Sequence, residues 1–266
     1  MKPLVRFFVY AFALFWIGFA LAGVLMAVGA PPAVVEVVKV LMAWTPNFAF
    51  VIIYRRLGES RSIWAYIRDL FTQRLRPVPL LGAIAIPTGV LLAVWLLSSV
   101  SRDVPASSLI ADVTLLGAIG FFFFNLINGP LGEEIGWRGY AFHELRKRHS
   151  LLGSSLILGA IWGVWHLPLW FATSGYGGVE LLLYIAFFMV GIVSLSVVIG
   201  YVYRDREGNL IYVVLLHQMF NFLSMFLAID LLPYLGMSAA VYAVVATIFV
   251  LATPGGVARP PRRSGS

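Results

Sequence analysis

Apolar runs of about 20 residues, separated by short polar or basic segments, dominate the chain from end to end. They lie near 7–29, 33–54, 78–100, 110–132, 151–172, 179–202, 209–229 and 236–253. Each is long enough to cross a bilayer as a helix and too continuously apolar for the alternating strands, about ten residues long, of a barrel. A spanning segment must satisfy its own backbone hydrogen bonds, so helices are the form these runs can take. The pattern predicts an all-α, polytopic membrane protein of about eight transmembrane helices in one domain, 1–266, with a core region about 110–229.

Basic residues sit where the runs end, and they set the orientation. With the N-terminus inside, seventeen of the nineteen Lys and Arg fall on the cytoplasmic side, one (Arg102) outside and one (Lys39) within a span. Both termini are therefore expected to be cytoplasmic. Lys2 and Arg6 before the first run give it the look of a signal peptide, but a run from Phe7 to about Gly29 exceeds the roughly 7–15 residues of a leader core. Between the second and third runs, 55–77 mixes Trp64, Ile67, Leu70 and Phe71 with arginines, as either an amphipathic surface helix or a plain basic loop. The segment 255–266 is a basic tail, expected to be disordered.

Composition agrees: 61% of residues are hydrophobic, 12% are charged, and the mean hydropathy is +0.91. The net charge of +7 belongs to the ends of apolar runs, which argues against a nucleic-acid surface and for a membrane-lipid setting. The absence of cysteine excludes disulfides, thiolate ligands and a cysteine nucleophile.

Against this apolar background a few polar groups stand out. The run Phe121–Phe124 leads into Glu133, Glu134 and Arg138, past an Asn128-Gly129-Pro130 helix break. Ionisable groups in a span mark a functional site by default, although acids in the first turn of a helix are also ordinary. Glu134 and Arg138 are four apart and can pair on one face, while Glu133 points about 100° away. His166 stands one turn after Trp162, and His217 one turn before Asn221. Counted at about 1.5 Å per residue from the charged turns near 144–150 and 204–208, Glu133, His166 and His217 reach a similar depth. A single intramembrane histidine is more often an interhelical hydrogen-bond partner than a catalyst. Asn125, Asn128, Glu36 and Lys39 are compatible with helix glue or cavity lining and are assigned no role, and Gly159 with Gly163 is a close-packing pair.

A carboxylate and a histidine sharing a water can generate a hydroxide-like nucleophile, with a second histidine and an asparagine stabilising an oxyanion. Alternatively Glu133, His166 and His217 can hold a divalent metal such as zinc, with water in the fourth position. The sequence Glu133-Glu134-x-x-x-Arg138, then Trp162-x-x-x-His166, then His217-x-x-x-Asn221, resembles the CAAX protease and bacteriocin-processing (Abi) family, which includes the type II CAAX prenyl endopeptidases. That resemblance implies an eight-helix intramembrane endopeptidase in the cell membrane. Glu133 and His166 would activate water, His217 and Asn221 would form an oxyanion hole, and Glu134 with Arg138 would be structural. The substrate would be a peptide or protein, prenylated or not. A different class of function, a non-catalytic immunity or regulatory membrane protein of the same fold, predicts the same sequence features, and an ion pathway predicts some of them.

Overall fold

The computed structural model describes residues 2–172, 174–204 and 208–256. Among them the structure is helical throughout, without a β-strand, and the only pairing of extended residues is one antiparallel bridge between Ile110 and Leu227. The basic tail lies beyond residue 256 and Asp205, Arg206 and Glu207 fall in a gap, so both are outside the described residues.

Local chemistry starts each helix. Proline, whose missing N–H is no loss in the first turn, opens α1 (Pro3–Ala27), α2 (Pro32–Ala43), α5 (Pro77–Arg102) and α7 (Pro130–Glu134). Side-chain oxygens cap others: Ser62 for α4 (Ile63–Phe71), Thr114 for α6 (Leu115–Ile127), Ser150 for α9 (Leu151–Trp165) and Asn209 for α12 (Leu210–Leu223). Glycine and backbone groups suffice for α11 (Gly178–Tyr203), and α13 (Leu231–Ala252) follows Asp230.

Five helical segments are long and apolar enough to cross a membrane: α1, α5, the continuous stretch Leu115–Arg146, α11 and α13. A sixth arises if α2 and α3 (Thr45–Tyr54), bent by 54° at their junction, are one broken span. The remaining two apolar runs fall on shorter helices, Leu151–Trp165 and Leu210–Phe226. The protein is a multi-pass membrane protein. Prolines account for two departures from unbroken runs. Pro46 cannot donate to residue 42, whose carbonyl instead receives the Thr45 hydroxyl at 2.8 Å. Pro168 follows His166, which ends α9 before the short α10 (Leu167–Ala172) begins. The fourth run starts later than its hydropathy suggests, at Leu115, and continues to Arg146.

The chain divides into two compact units. The first comprises Met1–Ala141 and Asn209–Ile229. In it α1 packs on α2 and α3, while α12 packs on α5, α6 and α7. Phe7 stands edge-on to Trp137 and Tyr140, whose other neighbour is Phe50. The amide of Asn209 donates to the carbonyls of Phe71 and Gln73, anchoring the start of α12 to the end of α4. The second unit comprises Phe142–Gly208 and Asp230–Ser266, where α11 packs on both α9 and α13. Its helices approach closely through small residues: Gly159 lies against Ser196 and Val193, and the Ser196 hydroxyl donates to the Ser155 carbonyl at 2.9 Å.

Candidate functional site

The helix that carries the acids is irregular by construction. After α6, Asn128 and Gly129 interrupt the backbone, α7 restarts at Pro130, and the residues Ile135–Phe142 then wind as a π-helix. A side chain from another helix is lodged in this ladder. Asn47, in the first turn of α3, donates its Nδ2 to the Leu131 carbonyl at 2.8 Å and accepts the Gly136 N–H on its Oδ1 at 2.9 Å. A π turn pairs groups five residues apart, and Leu131 and Gly136 are such a pair. The carboxamide of Asn47 thus bridges a carbonyl and an amide that would otherwise face each other, a recognised cause of helix distortion. Glycine makes the approach possible, because a Cβ on Gly136 would lie 2.5 Å from the Pro46 carbonyl oxygen and one on Gly132 would lie 2.9 Å from the Ala43 carbonyl oxygen. Trp44 adds a hydrogen bond to the Ile127 carbonyl, and Tyr66 of α4 donates to the Gly139 carbonyl at 2.7 Å.

This frame holds a buried charged cluster. Glu134 is wholly buried, and both its carboxylate oxygens accept from Arg138 Nη1, at 2.9 and 3.0 Å. The same Oε1 lies 2.7 Å from His217 Nδ1. An ionised carboxylate can only accept, so Nδ1 of His217 carries the proton. Glu133, the preceding residue, is 5% exposed. Asn221 projects one turn beyond His217, with its Nδ2 beside Gly129, where a Cβ would stand 3.3 Å away. The first unit therefore brings together Glu134, Arg138 and His217 by direct hydrogen bonds, with Asn221 on the same helix as His217.

His166 belongs to the second unit. Its Nδ1 lies 2.8 Å from the Trp162 carbonyl, an acceptor only, so in the neutral ring Nδ1–H donates and Nε2 is a proton acceptor. The ring is fixed edge-on against Trp165, with centroids 4.7 Å apart, and against Phe188 at 5.3 Å. The residue four before the histidine thus matters through its carbonyl as well as its ring. Of the polar residues given no role by sequence, Glu36 and Lys39 form an exposed pair at 2.7 Å. Asn47 and Tyr66 escape sequence reasoning, although a polar residue directly after Pro46 in an apolar run is a signal that can be read.

Among the described residues no three His, Cys, Asp or Glu are grouped as an ion would require, and Glu134, the carboxylate beside His217, is engaged at both oxygens by Arg138.

Residues 114–223, which contain Glu133, Glu134, Arg138, His166, His217 and Asn221, match the family described as Type II CAAX prenyl endopeptidase Rce1-like. A curated relative, CAAX prenyl protease 2 of Methanococcus maripaludis, is 30% identical over 170 residues, covering 60% of this chain and 62% of that protein. Over that region the chain is similar to CAAX proteases. It spans less than two thirds of the length of the curated relative it matches. The family match covers α6 through α12 and so includes the break, the π-helix and both histidines, whereas Asn47 lies upstream of it.

Proposed function

We infer that the protein is an intramembrane endopeptidase that hydrolyses a peptide bond near the cytoplasmic membrane face, using a water activated by Glu133 and His166. The observation that carries this reading is the buried Glu134–Arg138–His217 cluster directly beside a second buried carboxylate. A protein placing four ionisable groups inside an apolar bundle retains them for chemistry more readily than for stability.

In the proposed reaction Glu133 takes a proton from water as the oxygen attacks the scissile carbonyl, and His166 holds that water through Nε2. The carbonyl oxygen becomes an oxyanion facing His217 and Asn221. Because Nδ1 of His217 is committed to Glu134, its Nε2 donates to that oxyanion only when the ring holds a second proton. An imidazolium there gives two cations, Arg138 and His217, against two carboxylates, Glu133 and Glu134. The tetrahedral intermediate collapses as Glu133 returns its proton to the leaving nitrogen and the C–N bond breaks. Glu134 and Arg138 position His217 and touch no reacting atom.

The reading is tested on purified full-length protein with quenched peptides, each made with and without a prenylated cysteine. The expected results are cleavage by the wild type, loss of at least about a hundredfold with Glu133→Gln, and rates unchanged by chelators. Cleavage retained by Glu133→Gln overturns the assignment, and loss of cleavage on chelation that zinc restores establishes a metalloenzyme instead.

A further inference from the structure

Near the proposed catalytic cluster lies a second polar set that no role yet explains. Gln218 follows His217 on α12 and is 1% exposed; its Nε2 donates to the Phe122 carbonyl at 2.9 Å, and its Oε1 has no partner among the described residues. On α6, Asn125 Nδ2 and Asn128 Oδ1 are likewise shielded from solvent and without partners among the described residues. A buried donor or acceptor left unpaired is costly, and more so within a membrane, so three of them on two helices that pack together call for a ligand.

Their placement indicates which ligand. Asn125 and Asn128 are three apart on one face, and the same stripe runs back through Phe122 and Ala118. Gln218 and Phe222 on α12, and Phe226 in the 3-10 turn that follows it, are spaced at intervals of four. Between the two helices is an open, apolar groove of about 500 Å³, whose walls include Ile119, Phe122, Phe123, Phe222 and Phe226. Its far end is pinned by the bridge between Ile110 and Leu227, with Ala111 N–H donating to the Phe226 carbonyl and Ala228 N–H to that of Leu109. Asn125 follows the groove residue Phe122 by one turn of α6 and Gln218 precedes the groove residue Phe222 by one turn of α12, while Asn221 stands beside Gly129. An apolar trough ending in paired neutral donors and acceptors matches an extended peptide: its N–H and C=O groups alternate in direction, while apolar side chains leave the other face.

We propose that Asn125, Asn128 and Gln218 form a subsite that holds the main chain of an extended substrate segment, with its apolar side chains in the α6–α12 groove. Asn125 Nδ2 donates to a substrate carbonyl, and Asn128 Oδ1 and Gln218 Oε1 accept substrate N–H groups. This deepens the endopeptidase reading and rests on it for the word substrate. Recognition of main chain rather than side-chain identity makes the enzyme tolerant of sequence and intolerant of peptides whose amide nitrogens are blocked.

The test measures binding, so that it stands apart from hydrolysis. Full-length protein carrying Glu133→Gln, in detergent micelles, is titrated with a dye-labelled decapeptide of alternating leucine and valine flanked by lysines. A set of analogues carries one N-methyl group at each central position. The parent peptide is expected to bind, and N-methylation at one or two positions is expected to weaken it about two- to tenfold. That penalty disappears when Asn128→Leu or Gln218→Leu has already removed the acceptor. Asn128→Leu and Asn125→Leu are expected to unfold at the same temperature as the parent or a higher one, because each removes an unsatisfied polar group, whereas Gln218→Leu also loses the bond to the Phe122 carbonyl and is expected to unfold somewhat lower. The proposal is overturned if the parent peptide does not bind, if the N-methyl penalty persists in both acceptor variants, or if binding and thermal stability fall together in the two asparagine variants. It is also overturned if the variants slow hydrolysis while leaving peptide affinity intact, which would make the carboxamides a water site. Hydrolysis surviving Glu133→Gln would remove the catalytic assignment and leave the binding cycle untouched.

Discussion

The two units hold their helices together by opposite means. In the second, α9 and α11 meet through Gly159, Ser155 and Ser196, residues small enough for backbones to approach, and the helices run regularly. In the first, α7 and the π-helix are gripped by hydrogen bonds from side chains of other elements, Asn47, Tyr66 and His217, and the backbone is irregular at the same place. Lipid offers helices no hydrophobic reason to associate, so close packing and interhelical hydrogen bonds are what remain. Close packing yields a regular scaffold, whereas side-chain hydrogen bonds permit a distorted helix that aims charged groups inward.

The contrast can be broken most severely at Arg138. Replacing it with alanine leaves Glu134 buried without its cation and is expected to cost about 3–5 kcal/mol, measured by denaturant unfolding in micelles. Next is Asn47→Ala, which strips partners from the Leu131 carbonyl and the Gly136 N–H. A loss of about 1–3 kcal/mol for each unsatisfied group is expected, together with a fall in any hydrolytic rate that Asn47→Gln does not fully restore. In the second unit the sensitive change is an addition. A Cβ on Gly159 would lie 2.8 Å from Ser196 Cβ and 2.9 Å from Val193 Cα, so Gly159→Leu is expected to cost about 1–3 kcal/mol or to force α9 and α11 apart. The smallest effect sharpens the point. Gly191, also in α11, would carry a Cβ in ordinary contact at 3.6 Å from Ala239 Cβ, so Gly191→Ala is expected to be neutral or to stabilise by up to about 1 kcal/mol through helix propensity. Equal destabilisation by Gly191→Ala and Gly159→Leu would refute the close-packing account.

What could be read from sequence follows the reach of each signal. Hydropathy marks helices because a spanning segment meets its hydrogen-bond needs within itself, so α1, α5, α11 and α13 fall close to the apolar runs. The pairing of Glu134 with Arg138 was legible because it is local, four residues on one turn. The third member of that cluster was not. His217 meets Glu134 across 83 residues, and spacing within its own helix suggested only a partnership of direction with Asn221. The π-helix was illegible for the same reason, since its cause sits on α3. Spacing places Trp162 one turn before His166, but its carbonyl also sets the tautomer, a backbone role that side-chain identity does not reveal.

The bridging amide of Asn47 lies 84 and 89 positions from the two groups it joins. A synthetic fragment of residues 115–146 lacks that amide, and nothing within it prevents the Gly136 N–H from reverting to an ordinary α-helical partner. The geometry around the two acids is thus acquired during assembly, when one rod inserts its wedge into another, and a nascent chain whose α3 and α7 have not yet docked carries the residues of the site without its shape.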